Sequence, residues 1–384
     1  MTAAAFPVWG DPAAWENPPP LDGSVAADVC VVGLGGSGLA AVGAALDAGA
    51  SVVGIDAGPI AGGAAGRNGG FLLAGGALFH HAAVEAWGEE RAVGIYAESL
   101  AEIDRLAAEL GPVVRRVGSL RIPASAEEVE DCARQLEVLR RHGFPARPAD
   151  GPSGQGVFIP GDGSVQPLER CRRLARRALA RGARLHCDTP AVELSGQRVR
   201  TPAGEVVAKA VVVCVDGGLE RLLPELAGRV RSTRLQMLAT APIAPGTIPC
   251  PVYDNWGYDY WQQLPDGSVA LGGGRARFGD AEWGQPAEAG AEVQAWLDRL
   301  LRERVGVDAP VTHRWAGVIA YTPDRLPVFE EVRPGVVAVG AHSGHGNVLG
   351  SAAGRAAMAI ALGRGAPRLA RLLRPERWNS ARRD

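Results

Sequence analysis

Lysine is almost missing from this 384-residue chain: Lys209 is the only one, and the rest of the basic charge is arginine. Chemistry through a lysine amine is therefore confined to the neighbourhood of Lys209. The six cysteines (Cys30, Cys132, Cys171, Cys187, Cys214 and Cys250) contain no C-x-x-C pair, which argues against a zinc ribbon or a redox dithiol. Cys30 and Cys214 stand in apolar runs and read as small core residues, so a reduced, cytoplasmic setting is expected. Charge of either sign is not in excess: the formal net charge is -2, and no overall basic field favours nucleic acid. No long apolar run is present either. The stretch from Val29 to Ile55 is broken by glycines and by Asp47, so no membrane span is expected. Residues 1–20 lack a basic region followed by an apolar one, so no signal peptide is expected. A nucleophile motif, a metal-ligand cluster and a paired-carboxylate motif are all missing, so no metal is expected.

What is present suits a globular enzyme. Hydrophobic residues make up 47% and charged residues 21%, and the length allows two domains or one large one. Val29–Val32 is a short, wholly apolar strand of the kind buried in a parallel sheet. An Ala/Leu-rich helix follows over 36–48, then a second strand over 51–55. A glycine-rich loop spans 62–76, and a long helix is expected over 78–110, with a break near Trp87-Gly88. A strand at 115–122 and a helix at 125–142 come next, then a turn-rich stretch at 148–156 and a helix at 168–180. Short segments at 191–193, 198–200 and 205–207 read as a small antiparallel sheet, and 210–215 as another buried strand. From Arg231 the pattern becomes antiparallel, with strands at 234–239, 256–263 and 269–272 and a turn at Pro265-Asp266-Gly267. A helix at 291–304, a strand at 336–339 and a helix at 348–362 complete the chain. The order implies a cofactor domain assembled from discontinuous pieces, with a mixed-sheet domain inserted between them.

The clearest motif is Gly33-Leu34-Gly35-Gly36-Ser37-Gly38 between the first strand and helix. Gly33 permits the tight turn, Gly35 lets backbone approach a pyrophosphate, and Gly38 lets the helix pack on the strand. The helix N-terminus offers free N–H groups and partial positive charge to phosphates. Asp56 ends the second strand, where an acid can bind ribose hydroxyls. A glycine loop alone is weak evidence; strand, helix, strand and acid in register make a dinucleotide site.

Two further segments narrow the reading. One is Ala65-Gly66-Arg67-Asn68-Gly69-Gly70. The other runs from Trp315-Ala316-Gly317 through Thr322-Pro323-Asp324-Arg325-Leu326-Pro327 to Gly344-His345-Gly346-Asn347. Together with the glycine loop they resemble the D-amino-acid oxidase / glycine oxidase / sarcosine oxidase family of FAD enzymes, closest in pattern to gamma-glutamylputrescine oxidase-like members. The resemblance implies an α/β (α+β) fold: a Rossmann-like FAD-binding domain from residues 1–90, 155–230 and 311–384, and a mixed, largely antiparallel substrate-binding domain from 91–154 and 231–310. It implies non-covalent FAD, held by Gly33, Gly35, Gly36, Ser37, Gly38, Asp56, Ala57, Gly66, Arg67, Asn68, Gly69, Gly70, Val192, Val215, Gly217, Gly344, His345, Gly346, Asn347 and Val348. Within that set, the backbone of Val192 is expected to meet adenine, and the 344–347 turn the flavin N1–C2=O edge. Asp324 is expected to be structural.

The implied reaction is hydride transfer from a carbon next to nitrogen onto flavin N5, followed by imine hydrolysis, with O2 or another electron acceptor. The family's two usual carboxylate anchors are apolar here. An arginine before the Thr-Pro-Asp motif is replaced by Ile319, and a lysine after the Gly-His-Gly turn by Val348. An amine is therefore favoured over a simple amino acid as the small-molecule substrate, although Arg67, Arg275 or Arg277 offers a carboxylate another geometry. Three of the five tyrosines fall in 253–261. On a strand, Tyr258 and Tyr260 share one face, and with His345 they are the candidate catalytic groups; packing is the alternative role for each. Other readings stay open: a glycine/D-amino-acid oxidase-like enzyme of the thiamine-pathway type, or a flavoprotein of an RNA-modification or multi-subunit dehydrogenase complex. The arginine runs at 170–181 and 371–383 would serve the latter, although such runs are usually solvated helix faces. A monomer or homo-oligomer is expected.

Overall fold

The computed structural model describes residues 3–374. The chain divides into two compact units. One comprises residues up to Asp11, Arg67–Pro167 and Thr233–Val318; the other comprises Pro12–Gly66, Leu168–Ser232 and the chain from Ile319 onward. The architecture is mixed α/β, as expected.

The second of these units is built on an eight-stranded sheet. Its parallel centre is Gly23–Val32, flanked by Val52–Ile55 on one side and Gly204–Val213 on the other. Arg184–His186 extends the first side and Val336–Gly340 the second, both in parallel. These strands are nearly continuous runs of Val, Ile and Ala because both faces are covered. Cys30, Val32, Val53, Ile55, Val211, Val213 and Ala338 meet in one buried cluster. The antiparallel pairing expected at 191–207 is present, as Glu193–Ser195, Arg198–Thr201 and the first residues of Gly204–Val213, but it belongs to the main sheet, because Gly204–Val213 is a single ten-residue strand. Alternation along Gly204–Val207 looks like an edge strand locally, which concealed its continuity with the apolar half.

The other unit holds a second eight-stranded sheet, ordered Val311–Tyr321, Arg231–Thr240, Val269–Gly273, Asp259–Gln263, Val252–Asp254, Ser119–Ile122, Gly154–Ile159 and Arg147–Gly151. One face packs on the helix Ala291–Glu303 through Leu238, Val252, Trp261, Leu271, Leu297 and Leu301. The stretch at 148–156 is a β-hairpin rather than turns. Its glycines and Pro148 suppressed the strand signal, but backbone pairing needs no apolar side chain on an edge. The long helix expected over 78–110 is two, His80–Trp87 and Glu89–Leu110, parted at Gly88 with φ +86°. The helix expected at 348–362 begins as a π-helical turn, Gly346–Gly350, before Ser351–Ala361, and a short helix not expected from the sequence, Arg368–Leu373, follows it.

His80, the first residue of the helix His80–Trp87, is buried, with its Nε2 2.8 Å from His142 Nδ1 and its ring against Tyr96 and Phe144. Burial, helped by the neighbouring His142, pushes its pKa from 6.5 down to about 4. Above about pH 6.5 both folded and unfolded chains hold it neutral. Between there and pH 4 only the unfolded chain binds the proton, so stability falls as pH falls through that window. Denaturation midpoints measured from pH 7.5 to 4.5 should decline, and His80→Gln should flatten the decline. An equally steep profile in the variant would remove His80 as its source.

Candidate functional site

The expected dinucleotide-binding segments of the unit built on Gly23–Val32 come together. Gly33 sits at φ +98°, a conformation that glycine adopts without penalty. A Cβ on it would lie 2.5 Å from the Cys214 carbonyl oxygen and 3.3 Å from Val215 Cγ2. A Cβ on Gly38 would overlap the Gly33 carbonyl oxygen. Gly35 faces the glycine-rich arm, with Ala65 Cβ 3.2 Å from where its own Cβ would be, and a Cβ on Gly66 would overlap the Ala61 carbonyl. Gly36 lies against the buried guanidinium of Arg170, which donates to Asn347 Oδ1 (3.1 Å) and to Ser351 Oγ. The sequence placed Arg170 only in a basic run; its contacts are long-range and left no local signal.

Asp56 is committed first to the loop itself. Its Oδ2 accepts from Leu34 N–H at 2.6 Å and its Oδ1 from Gly58 N–H at 3.0 Å. Burial pushes its carboxyl up, and those two N–H donors oppose the shift. Ala57, next to it, is exposed. Val192 is 59% exposed and its N–H is already given to the Arg200 carbonyl at 2.9 Å. Val215 and Gly217 flank Asp216, a residue the sequence did not single out. Asp216 Oδ1 accepts from the His342 N–H at 2.8 Å and meets His342 Nδ1 at 2.9 Å, while Oδ2 accepts from Ala320 N–H at 3.3 Å.

Asp216 thereby holds a turn of unusual backbone. Ala341, Ser343 and Gly344 have φ of +52°, +52° and +90°, and the two non-glycines are costly there. The turn leads into Gly346, Asn347 and the buried Val348. Ile319 Cδ1 and Tyr321 Oη lie 3.9 and 4.0 Å from where a Gly344 Cβ would be. Tyr321, with Arg325 stacked 4.7 Å from its ring centroid, is a neighbour of the turn that the sequence reading missed. Asp324 Oδ1 accepts from Leu326 N–H at 3.2 Å, within the turn before the strand Val328–Arg333.

This arrangement fits a dinucleotide. The helix that starts at Gly36 and the π-helical turn that starts at Gly346 and runs on into Ser351–Ala361 carry no side-chain cap, so their first N–H groups are available to an anion. His342 Nε2 and Ser343 Oγ are buried and have no hydrogen-bond partner, as polar atoms awaiting a ligand would be.

The remaining site candidates lie in the other unit. Arg67 Nη1 donates to the Ala316 carbonyl at 3.1 Å, and the Arg67 carbonyl accepts from Trp315 Nε1 at 2.7 Å. Burial pushes the Arg67 pKa down. Asn68 Oδ1 accepts from Gly70 N–H at 2.8 Å, and its carbonyl from Trp9 Nε1 at 2.9 Å. Gly69 accepts from Gln262 Nε2, and the Tyr260 ring rests 3.0 Å from where its Cβ would be. Cross-strand register places Met237, Gly272, Tyr260, Tyr253 and Arg121 in one row, hence on one face. Trp261, in the next row, faces the apolar core. Phe71 packs on Tyr253 and Tyr260 at 5.3 and 5.8 Å, and Arg121 stacks 4.6 Å over Tyr253.

Tyr258 does not share the face of Tyr260. Asn255 and Trp256 adopt φ of +53° and +52°, followed by Gly257 at +81°. The strand starts only at Asp259, and Tyr258 is a turn residue. Trp256 is pinned there by Glu128 Oε1 on its N–H (2.6 Å) and Asp131 Oδ2 on its indole (2.8 Å). Arg275 and Arg277 stack on Trp283 (4.6 Å) and Trp296 (5.2 Å). The arginine run on the helix Pro167–Ala180 is engaged as well: Arg173 pairs with Glu169, Arg172 and Arg176 lie over Trp15, and Arg181 pairs with Asp47. The run at 371–383 lies outside the described residues beyond Arg374. Among the described residues no His, Cys, Asp or Glu group could hold a metal, and no helix is long and apolar enough to cross a membrane.

Comparisons with known proteins agree with this geometry. The model of the family described as DAO, FAD dependent oxidoreductase, matches residues 28–360. A probable oxidoreductase OrdL from Rhizobium meliloti is 27% identical over 388 residues, covering 93% of this chain and 88% of its own. A gamma-glutamylputrescine oxidoreductase from Escherichia coli is 27% identical over 367 residues, covering 87% and 83%. Among solved structures, L-proline dehydrogenase from P. horikoshii shares the fold with a TM-score of 0.77 at 19% identity, covering 95% of this chain and 99% of its own. Glycine oxidase from Bacillus cereus does so with a TM-score of 0.75 at 18% identity, covering 90% and 98%.

The contacts of Tyr260 with Gly69 and Gly272 make its ring a packing element. Tyr260→Ala should cost about 2–4 kcal/mol of stability in chemical denaturation, and Tyr260→Phe under about 1.5 kcal/mol. Near-equal losses in the two variants would mean that the hydroxyl, not the ring, carries the role.

Proposed function

Because the chain belongs to the DAO family of FAD-dependent oxidoreductases, we propose that it oxidises the C–N bond of a small amine to an imine, which water hydrolyses. When bound, the flavin supplies a hydride acceptor at N5 that O2 or another carrier re-oxidises. The unit containing Gly33–Gly38, Asp56 and the 341–350 turn holds that cofactor. The uncapped helix starts at Gly36 and Gly346 receive its phosphates, and Asp56 orders the glycine loop around them. The unit containing Arg67–Gly70 and the Tyr253–Tyr260 face carries the substrate surface. Attachment is non-covalent: burial pushes the Cys214 thiol, the cysteine beside Gly33, up to about 12, so it stays an unreactive thiol.

The observation that carries the preference for an amine is that two positions beside the Gly344 turn, Ile319 and Val348, are apolar. Ile319 borders it and Val348 follows it, both buried, and neither offers a carboxylate a partner. The engagement of Arg275 and Arg277 with tryptophans supports the same reading. One relative is named for gamma-glutamylputrescine, an amine, and one structural neighbour for glycine, an amino acid; the two residues favour the former. No general base is needed, since a neutral amine can give up its hydride directly. The residues' tasks are to orient the substrate and keep water out.

The purified protein should be yellow, and its visible band should bleach under argon with primary or secondary amines while amino acids leave it unchanged. Bleaching by amino acids alone would place a carboxylate anchor in the site and reject the amine preference. A colourless protein that takes up no FAD would reject the cofactor assignment.

A further inference from the structure

His342, rather than the better-recognised His345, carries the more specific geometry in the 341–350 turn. Its side chain is 5% exposed and sits between the strand Val336–Gly340 and the π-helical turn Gly346–Gly350. Asp216 takes both its backbone N–H and its ring Nδ1 on one carboxylate oxygen. A carboxylate is an acceptor, so Nδ1 must carry a proton. In the neutral ring this leaves Nε2 as a bare lone pair. That atom is buried without a partner, as is the hydroxyl of the adjacent Ser343, itself 4% exposed.

The surroundings of Nε2 show what it can receive. A Cβ on Gly350 would lie 2.9 Å from Nε2 and 2.6 Å from Ser37 Oγ, so both polar atoms lie close against the bare backbone of residue 350. Ser37 belongs to the glycine loop, and Gly350 precedes the helix Ser351–Ala361. A lone pair does not bind a phosphate oxygen, which is also an acceptor; it binds a hydroxyl.

We propose that His342 Nε2 is a hydrogen-bond acceptor for a hydroxyl of the flavin's polyol chain, and that Asp216 is the positioning residue that fixes its tautomer. This rests on the FAD reading above. It goes beyond the family's glycine loop and backbone turn by assigning the recognition to two side chains, which meet across 126 residues of sequence.

The test is flavin binding to apoprotein, followed by fluorescence quenching, with FAD, riboflavin and lumiflavin, which lacks the polyol. His342→Phe keeps the ring volume and loses the acceptor. Asp216→Asn keeps a group beside Nδ1 but offers an amide in place of the carboxylate. Each should weaken FAD and riboflavin by about 5–10-fold and leave lumiflavin within twofold. In 15N spectra of wild-type apoprotein, His342 should be the Nδ1–H tautomer, and its Nε2 resonance should shift on adding riboflavin but not lumiflavin. Unchanged FAD affinity in both variants, equal loss for lumiflavin, or an Nε2–H tautomer would each overturn the assignment. Variants that fail to fold leave the wild-type 15N measurement to decide it. Failure of the wild-type protein to bind FAD would instead overturn the cofactor reading.

Discussion

The cofactor-binding unit depends on how closely its two glycine-flanked helices approach. Gly354 leaves the room that the Ser37 backbone occupies, since a Cβ on Gly354 would overlap the Ser37 carbonyl oxygen, and Gly350 leaves room for the Ser37 hydroxyl. Close approach of helices through small residues is a packing solution, but here it also sets the electrostatics. It brings the start of Gly36–Asp47 beside the π-helical turn Gly346–Gly350 that leads into Ser351–Ala361, and the uncapped first turns at Gly36 and Gly346 offer their N–H groups. Two such ends side by side form a stronger anion site than either alone. The buried Arg170 guanidinium, hydrogen-bonded to Asn347 and Ser351 and touching Gly36, ties the two starts together and adds its own charge.

In the other unit, the ordering element is a cross-strand row. Tyr260 leans over Gly272, its partner in the register, because glycine there has no side chain; a Cβ would sit 2.5 Å from the Tyr260 hydroxyl oxygen. The same ring presses on Gly69, so the Arg67–Gly70 segment is fixed by a side chain from the sheet. The cation-binding face of Tyr253 is already occupied by Arg121, which donates to Ser119 and lies 3.6 Å from the buried Asp162. The aromatic cluster is thus a supporting wall, and that face of Tyr253 is closed to a further cation.

Local features were legible in the sequence, and long-range ones were not. The Gly33–Gly38 loop was readable because its requirements, a tight turn and two close backbone approaches, are imposed within six residues. The buried strands were readable because a covered parallel sheet tolerates little but Val, Ile and Ala. The hairpin at 147–159 was not, since its edge pairing asks nothing of its side chains. Tyr258 was misplaced because the left-handed run Asn255–Gly257 is held by Glu128 and Asp131, on a helix more than a hundred residues away in sequence. Asp216 carried no signal at all: as one acid between glycine-rich segments it became meaningful only when His342 and Ala320 met it.

The scarcity of lysine gains a physical meaning at this point. Lys209 is exposed and paired with Asp28 at 2.8 Å, on the outer half of the strand Gly204–Val213. The positive groups in and around the cofactor-binding segments are therefore arginines and helix ends. Arginine holds its proton throughout the accessible pH range, and a helix dipole has none to give. Both can stabilise charge; neither can exchange a proton. Of the two histidines of the 341–350 turn, His342 has its ring orientation fixed by a carboxylate. That division separates static charge stabilisation, supplied by arginine and backbone, from the one side chain whose hydrogen-bonding sense is set by Asp216.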